Sequence, residues 1–148
     1  MNNQIKIALG VVLLMLASCQ HSKQLSVVSS ERAPKVIGPY SHAIKAGDMV
    51  FTSGQIGLSP ATNTLADGIS AQTHQALDNL KAILEDAGSD MAHIAKVTVY
   101  LKNLDDYATF NDIYKEYFPG TKPARSAVQV AKLPKDALVE IECVAMTK

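Results

Sequence analysis

The sequence predicts an α+β domain, a mixed β-sheet with two helices packed on one of its faces. Three observations lead there. Two stretches carry apolar residues at helical spacing, several shorter ones alternate as strands do, and together they run in the order ββ-α-β-α-ββ. The composition is that of one globular unit: of 148 residues, 47% are hydrophobic, 19% charged and 5% aromatic, with 14 basic side chains against 14 acidic. Beyond the first 33 residues, roughly 115 remain, enough to bury about two-thirds of their unfolded surface in a single core.

The N-terminal stretch is read apart from that domain. From Ile5 to Ala17 the chain is apolar except for Lys6, too short to span a bilayer and of the length of a signal-peptide apolar region. It ends Leu16-Ala17-Ser18-Cys19, small residues directly before a cysteine, which resembles the lipobox of bacterial lipoproteins. The resemblance implies that residues 1–18 are a signal peptide and that Cys19 is diacylated and becomes the new N-terminus. The protein is then extracytoplasmic and held to a membrane by lipid. Gln20, in place of Asp after the cysteine, implies the periplasmic side of the outer membrane if the source is Gram-negative. An ordinary secretory signal or an uncleaved anchor is the other reading of these residues. Buried acyl chains contribute about 0.8 kcal/mol per methylene, so attachment needs no spanning helix. Residues 19–33 read as the lipidated cysteine and a polar, Ser-rich tether reaching on the order of 45 Å when extended. The folded domain is then 34–148.

Within it, His42 to Lys45 and Met49 to Ser53 are short apolar runs joined by Ala46-Gly47-Asp48, a hairpin in which Gly supplies a positive φ. Gly54 to Gly68, with Ser59-Pro60 and Asn63, reads as loop. Ser70 to Ala87 sets Ala76, Leu77, Leu80, Ile83, Leu84 and Ala87 on one helical stripe, and Gly88 stops it. Ile94 to Lys102 alternates, with Ala95, Val97, Val99 and Leu101 inward and Lys96, Thr98, Tyr100 and Lys102 outward. Asp105 and Asp106 favour a helix start, and Tyr107, Phe110, Ile113, Tyr114 and Tyr117 form an aromatic stripe ended by Pro119-Gly120. Ala127 to Leu133 and Leu138 to Met146 are the last strands. Two helices cover one sheet face, so the other, bearing Thr98 and Tyr100, meets water or a second copy; an oligomer is expected.

Charge and motifs exclude several functions. A zero net charge with no basic stripe gives no footprint for nucleic acid. Cys19 and Cys143 cannot form a disulfide framework or a zinc site, and the histidines at 21, 42, 74 and 93 are scattered, so no metal is expected. GxGxxG, Walker A, GxSxG and HExxH patterns are missing from the sequence, leaving nucleotide cofactors and a serine nucleophile without support.

Arg125 stands out among the remaining candidates because Arg32 is the only other arginine. In Lys122-Pro123-Ala124-Arg125 a proline-bounded loop enters a strand, which fixes the direction of a guanidinium whose planar fork matches a carboxylate. Pairing with a surface carboxylate or a helix end is the alternative. Glu140 and Glu142 share one face of the last strand; a carboxylate beside an arginine-bound anion can orient and deprotonate water, or can simply line a solvated face. Tyr40 follows Gly38-Pro39 and can wall a pocket. Ser53 and Gly54 offer backbone N–H groups to an oxyanion, or form a plain turn. Cys143 alternates with Val139 and Ile141 and reads as a small core residue.

Ile37-Gly38-Pro39-Tyr40-Ser41, Thr52-Ser53-Gly54-Gln55-Ile56, Ala76-Leu77-Asp78-Asn79-Leu80, Pro123-Ala124-Arg125-Ser126, Lys132-Leu133-Pro134-Lys135-Asp136 and Val139-Glu140-Ile141-Glu142 occur in this order. From about Ala33 to Lys148 the chain resembles the RidA/YjgF family. The resemblance implies a chorismate-mutase-like fold, a homotrimer with ligand clefts between subunits, and cofactor-independent hydrolysis of small 2-imino and 2-enamino acids, such as 2-iminopropanoate and 2-aminoacrylate, to 2-keto acids and ammonia. It implies that Arg125 binds the substrate carboxylate, Glu140 positions water and Tyr40 lines the pocket. Ser53, Gly54 and Asn111 match further positions near the ligand. Ala127 stands where many members carry cysteine, which removes thiol chemistry there and enlarges the pocket. A lipoprotein using the same cleft only to bind small carboxylates, or acting as a chaperone, is the alternative function.

Overall fold

The computed structural model describes residues 25–148. The signal-peptide reading and the lipidation of Cys19 concern residues outside that range. The elements are β1 (Leu25–Val28), β2 (Ala43–Ala46), β3 (Met49–Thr52), β4 (Gln55–Ile56), α1 (Gly68–Asp86), β5 (Ile94–Leu101), α2 (Tyr107–Tyr117), β6 (Ala124–Gln129) and β7 (Val139–Met146). The sheet runs β1-β2-β3-β7-β5-β6, and β4 also pairs with β7. Only β5 and β6 are parallel, joined through α2; the other pairings are antiparallel. The sheet is therefore mixed, and α1 and α2 cover one face of it, as the sequence predicts.

Alternation decides which residues form the core. Val50, Val97, Val99, Val139, Ile141 and Ala145 point under the helices and are fully buried, meeting Leu77, Leu80, Ile83 and Leu84 of α1 and Phe110 of α2. At about 25 cal/mol per Å² of apolar area removed from water, this shared layer is the main source of stability. Gly47 has φ 60° in the β2–β3 turn and Gly88 has φ 79° after α1, both positions where the chain turns through the left-handed region. One inward assignment is corrected: the register slips between Ile94 and Lys96, so Ala95 sits on a bulge and is exposed while Ile94 is buried instead.

Residues 25–33, read as tether from the sequence, belong to the folded domain. Residues 25–28 form β1, registered from Leu25 opposite Ala46 to Val28 opposite Ala43. Val28, Ser30 and Ala33 are buried. The Ser30 N–H donates to Nδ1 of the buried His42, whose Nε2–H donates to the Pro34 carbonyl. Arg32 bridges Glu85 and Asp86 on α1, each at 2.7 Å. An edge strand needs only one inward residue and a backbone ladder, which a Ser-rich composition does not reveal. β4 was likewise hidden in the stretch read as loop, because two residues show no period.

The uncovered face carries two apolar rows. Leu25, Ala46, Met49 and Met146 are in register across four strands, as are Val27, Ile44, Phe51 and Val144. Val27 is 69% exposed and Phe51 42%. Further along, the same face turns polar with Thr98, Tyr100, Glu140 and Glu142.

Candidate active site

Arg125 lies near the start of β6, registered with Val97, which is registered with Cys143. That row faces the helices. The guanidinium carbon sits 4.5 Å from the Tyr114 ring centre, 5.4 Å from Phe110 and 5.6 Å from Tyr107. Nη2 donates to the Tyr107 hydroxyl at 3.1 Å and to Asn111 Oδ1 at 2.7 Å. The aromatic stripe on α2 is thus both core and cradle, a role its spacing alone did not disclose. The Arg125 bond also holds the Tyr107 hydroxyl below its usual tyrosine range. Among the described residues both protein acceptors are served by Nη2, leaving Nε and Nη1 for a ligand. Arg125 and Asn111 border a cleft of about 330 Å³, with Tyr114, Phe118 and Pro123 as its apolar wall.

Glu140 lines a second cleft of about 340 Å³ with Ile37, Tyr40, Ser53, Gly54, Ile56 and Pro134. It registers with Tyr100 on one side and Ile56 on the other. Burial pushes the Glu140 carboxyl above its ordinary value, and the neighbouring Glu142 adds to the effect. Among the described residues no hydrogen-bond donor reaches it, whereas Glu142 accepts from the Tyr100 hydroxyl at 3.2 Å. Gly54 backs the Glu140 carboxyl so closely that a Cβ at that position would collide with it. Tyr40 is 48% exposed at the mouth, its hydroxyl accepting from the Ile37 N–H at 3.4 Å.

The structure distributes the candidate site residues over two sheet faces and corrects the reading of one of them, Ser53. Arg125 and Glu140 do not share a cleft within one chain: Arg125 is in register with Val97 and Glu140 with Tyr100, an odd separation on β5, so the two leave opposite faces of the sheet. Ser53 has no free donor, since its N–H serves the His42 carbonyl and its hydroxyl the Ser41 carbonyl at 2.6 Å. Ala127, registered with Val99, packs against the core one strand repeat beyond Arg125 and lines neither cleft. Cys143 is buried, its thiol pushed up to about 12 by that burial. His74 bonds the Tyr117 hydroxyl and His93 bonds Asp90. Among the described residues no group of three or more His, Cys, Asp or Glu could hold a metal ion. No described helix is long and apolar enough to cross a membrane.

The fold is α+β, with an aromatic-cradled arginine on one sheet face and a half-buried, donor-free glutamate on the other. Residues 30–147 are matched by the family model described as "Endoribonuclease L-PSP". The chain belongs to this family, the RidA/YjgF family. It is 52% identical over 120 residues to a "RutC family protein" of Pyrococcus abyssi, covering 80% of this chain and 94% of that one. It is 47% identical over 124 residues to the "2-iminobutanoate/2-iminopropanoate deaminase" of Salmonella typhimurium, covering 82% and 97%. The structure of E. coli TdcF with bound serine superposes with a TM-score of 0.80 at 43% identity, over 83% of this chain and 99% of that one.

Proposed function

We propose that this protein hydrolyses small 2-imino and 2-enamino acids to 2-keto acids and ammonia, without a cofactor, in a cleft built from two copies of the chain. The observation that carries this is the division of the site: Nε and Nη1 of Arg125 are unspent on one face, and the donor-free Glu140 carboxyl lies on the other. A homotrimer, in which one copy's Arg125 face meets a neighbour's Glu140 face, completes the site and covers the apolar rows around Val27 and Phe51. The named activity of the Salmonella relative and the small amino acid held by TdcF support this reading.

The substrate carboxylate accepts two parallel hydrogen bonds from Arg125, a charge-assisted pair contributing about 1.5–3 kcal/mol. Tautomerisation of an enamine gives the imine. The neighbouring Glu140 takes a proton from a water molecule as its oxygen adds to C2, and the C=N electron pair moves to nitrogen. The resulting carbinolamine receives that proton on nitrogen; Glu140 then takes the hydroxyl proton and passes it to the same nitrogen, so the C–N bond breaks, ammonia leaves and C=O forms. Gly54, with no Cβ to displace the Glu140 carboxyl, leaves it room in the cleft, and Tyr40 and Ile37 wall the space where the water reacts.

The test is keto-acid formation from freshly generated 2-iminopropanoate by wild type, Arg125→Ala and Glu140→Gln. Acceleration that both substitutions remove supports the reaction. A folded protein that leaves the spontaneous rate unchanged overturns it, and a cleft that only binds small carboxylates is then the reading to pursue. Export belongs to the same proposal: Cys19 carries lipid, and with β1 starting at Leu25 the link is about 20 Å when extended rather than 45 Å. Loss of acyl-chain incorporation in Cys19→Ser tests it.

A further inference from the structure

β4 is only two residues long, yet it holds one side of the Glu140 cleft, with Ile56 registered opposite Glu140 and Gln55 opposite Ile141. Two paired residues do not hold a backbone still by themselves. The missing support comes from α1. Asn79, 1% exposed, donates from Nδ2 to the Ile56 carbonyl at 3.2 Å and to the Leu58 carbonyl at 2.9 Å. Its Oδ1 accepts from Gln75 Nε2 at 2.9 Å, which fixes the orientation of the carboxamide. One helical turn and three residues earlier, Gln72 repeats the device. Its Oε1 accepts from the Leu138 N–H at 2.8 Å, directly before β7, and its Nε2 donates to the Ala66 carbonyl at 3.1 Å. Between these clamps Gly57 lies so close to α1 that an added Cβ would stand 2.5 Å from the Gln72 Cα. The helix therefore grips both backbone segments that flank Glu140, the β4 strand beside it and the entry to its own strand.

From this geometry we infer that Asn79 and Gln72 are positioning residues for the proposed hydrolysis, acting through β4 and Leu138 to hold the Glu140 carboxyl against Gly54. The inference rests on Glu140 orienting the water. A buried carboxamide spanning two carbonyls in parallel has only one geometry that satisfies both, so β4 is fixed in height over the sheet as well as in register. Arg125 is not reached by either clamp, because it stands on β6 and is held by α2. The chemical step and carboxylate binding thus depend on different helices.

This separation gives the experiment. Asn79→Ala is expected to lower kcat about tenfold or more, since a displacement of about 1 Å at a reacting group can cost up to a hundredfold, with KM for 2-iminopropanoate within about twofold of wild type. The pH at which kcat falls on the acid side should move down, because a loosened β4 admits water to Glu140. Leu84→Ala, a core truncation on the same helix, controls for destabilisation and should change neither quantity comparably. If Asn79→Ala fails to fold, Gln75→Met, which removes only the bond that orients Asn79, should show a smaller loss of kcat in the same pattern. Equal losses in Asn79→Ala and Leu84→Ala, or a rise in KM that accounts for the whole effect, overturn the inference. Glu140→Gln separates it from the parent reading: full activity in that variant rejects the role of Glu140 itself. In that case carbon-13 titration of the Glu140 carboxyl still reads the clamp. A midpoint lower in Asn79→Ala than in wild type retains the positioning, and an unchanged midpoint rejects it.

Discussion

Arg125 is oriented before any ligand arrives, by three aromatic rings and by two acceptors on the same nitrogen. A lysine there keeps the charge but neither the fork nor the stacking. Arg125→Lys is therefore expected to reduce kcat/KM for a small imino acid about 10- to 100-fold, chiefly through KM, in steady-state measurements of keto-acid formation. Glu140 gives a prediction of opposite character. Burial raises its carboxyl above the ordinary value, so between the unfolded and folded values the native state binds more protons than the unfolded one. Stability must then fall as pH rises through that window, and the charged carboxylate is a standing cost at neutral pH. Glu140→Gln should consequently raise the thermal midpoint at pH 7 while lowering activity, and the gain should shrink toward about pH 4, where wild type is protonated as well. Calorimetry at the two pH values checks the sign.

At the scale of elements, short pieces of chain carry the site. Gly54 joins β3 to β4 and touches the Glu140 carboxyl, so Gly54→Ala should force the carboxyl aside and reduce kcat, with thermal stability changing much less than activity. β1 is a strand and not part of a tether, and Val28 faces the core. Val28→Asp buries an unpaired charge and is expected to destabilise the domain by about 2 kcal/mol or more in urea unfolding, where a tether residue would show nothing. The same segment leads through Ser30 and His42 to Pro34 and then to Ile37 and Tyr40, which wall the Glu140 cleft. Anchoring the N-terminal strand thus also anchors that wall.

For the whole molecule, the decisive fact is that one chain presents Arg125 and Glu140 on opposite faces of its sheet. A site assembled between copies predicts complementation. Arg125→Ala and Glu140→Gln, each inactive alone, should regain about a quarter of the wild-type rate when unfolded together and refolded in equal amounts, because random assembly pairs an intact Arg125 with an intact Glu140 in about one site in four. A mixture no more active than its components would place both groups in a site within one chain. The proposed assembly would also cover the open face, where rows of Val27, Ile44, Phe51 and Val144 are unusual surface for a monomer.

The sequence by itself determined the layered fold, because the helical stripe from Ala76 to Ala87 and the alternation in Val97-Val99-Leu101 and Val139-Ile141-Cys143 are local periodicities that burial then obeys. It also singled out Arg125, Glu140, Tyr40 and Gly54, whose chemistry or conformational freedom is visible residue by residue. What it did not disclose has a common cause. β1 and β4 are too short to show a period, Ser53 loses its donors to backbone carbonyls far from it in sequence, and Asn79 reads as one more polar residue of an amphipathic helix until Ile56 and Leu58 are brought beneath it. Which face of the sheet Arg125 and Glu140 each occupy depends on the pairing of β6 and β7 with β5. Register between strands is a long-range property, and only the tertiary structure decided it.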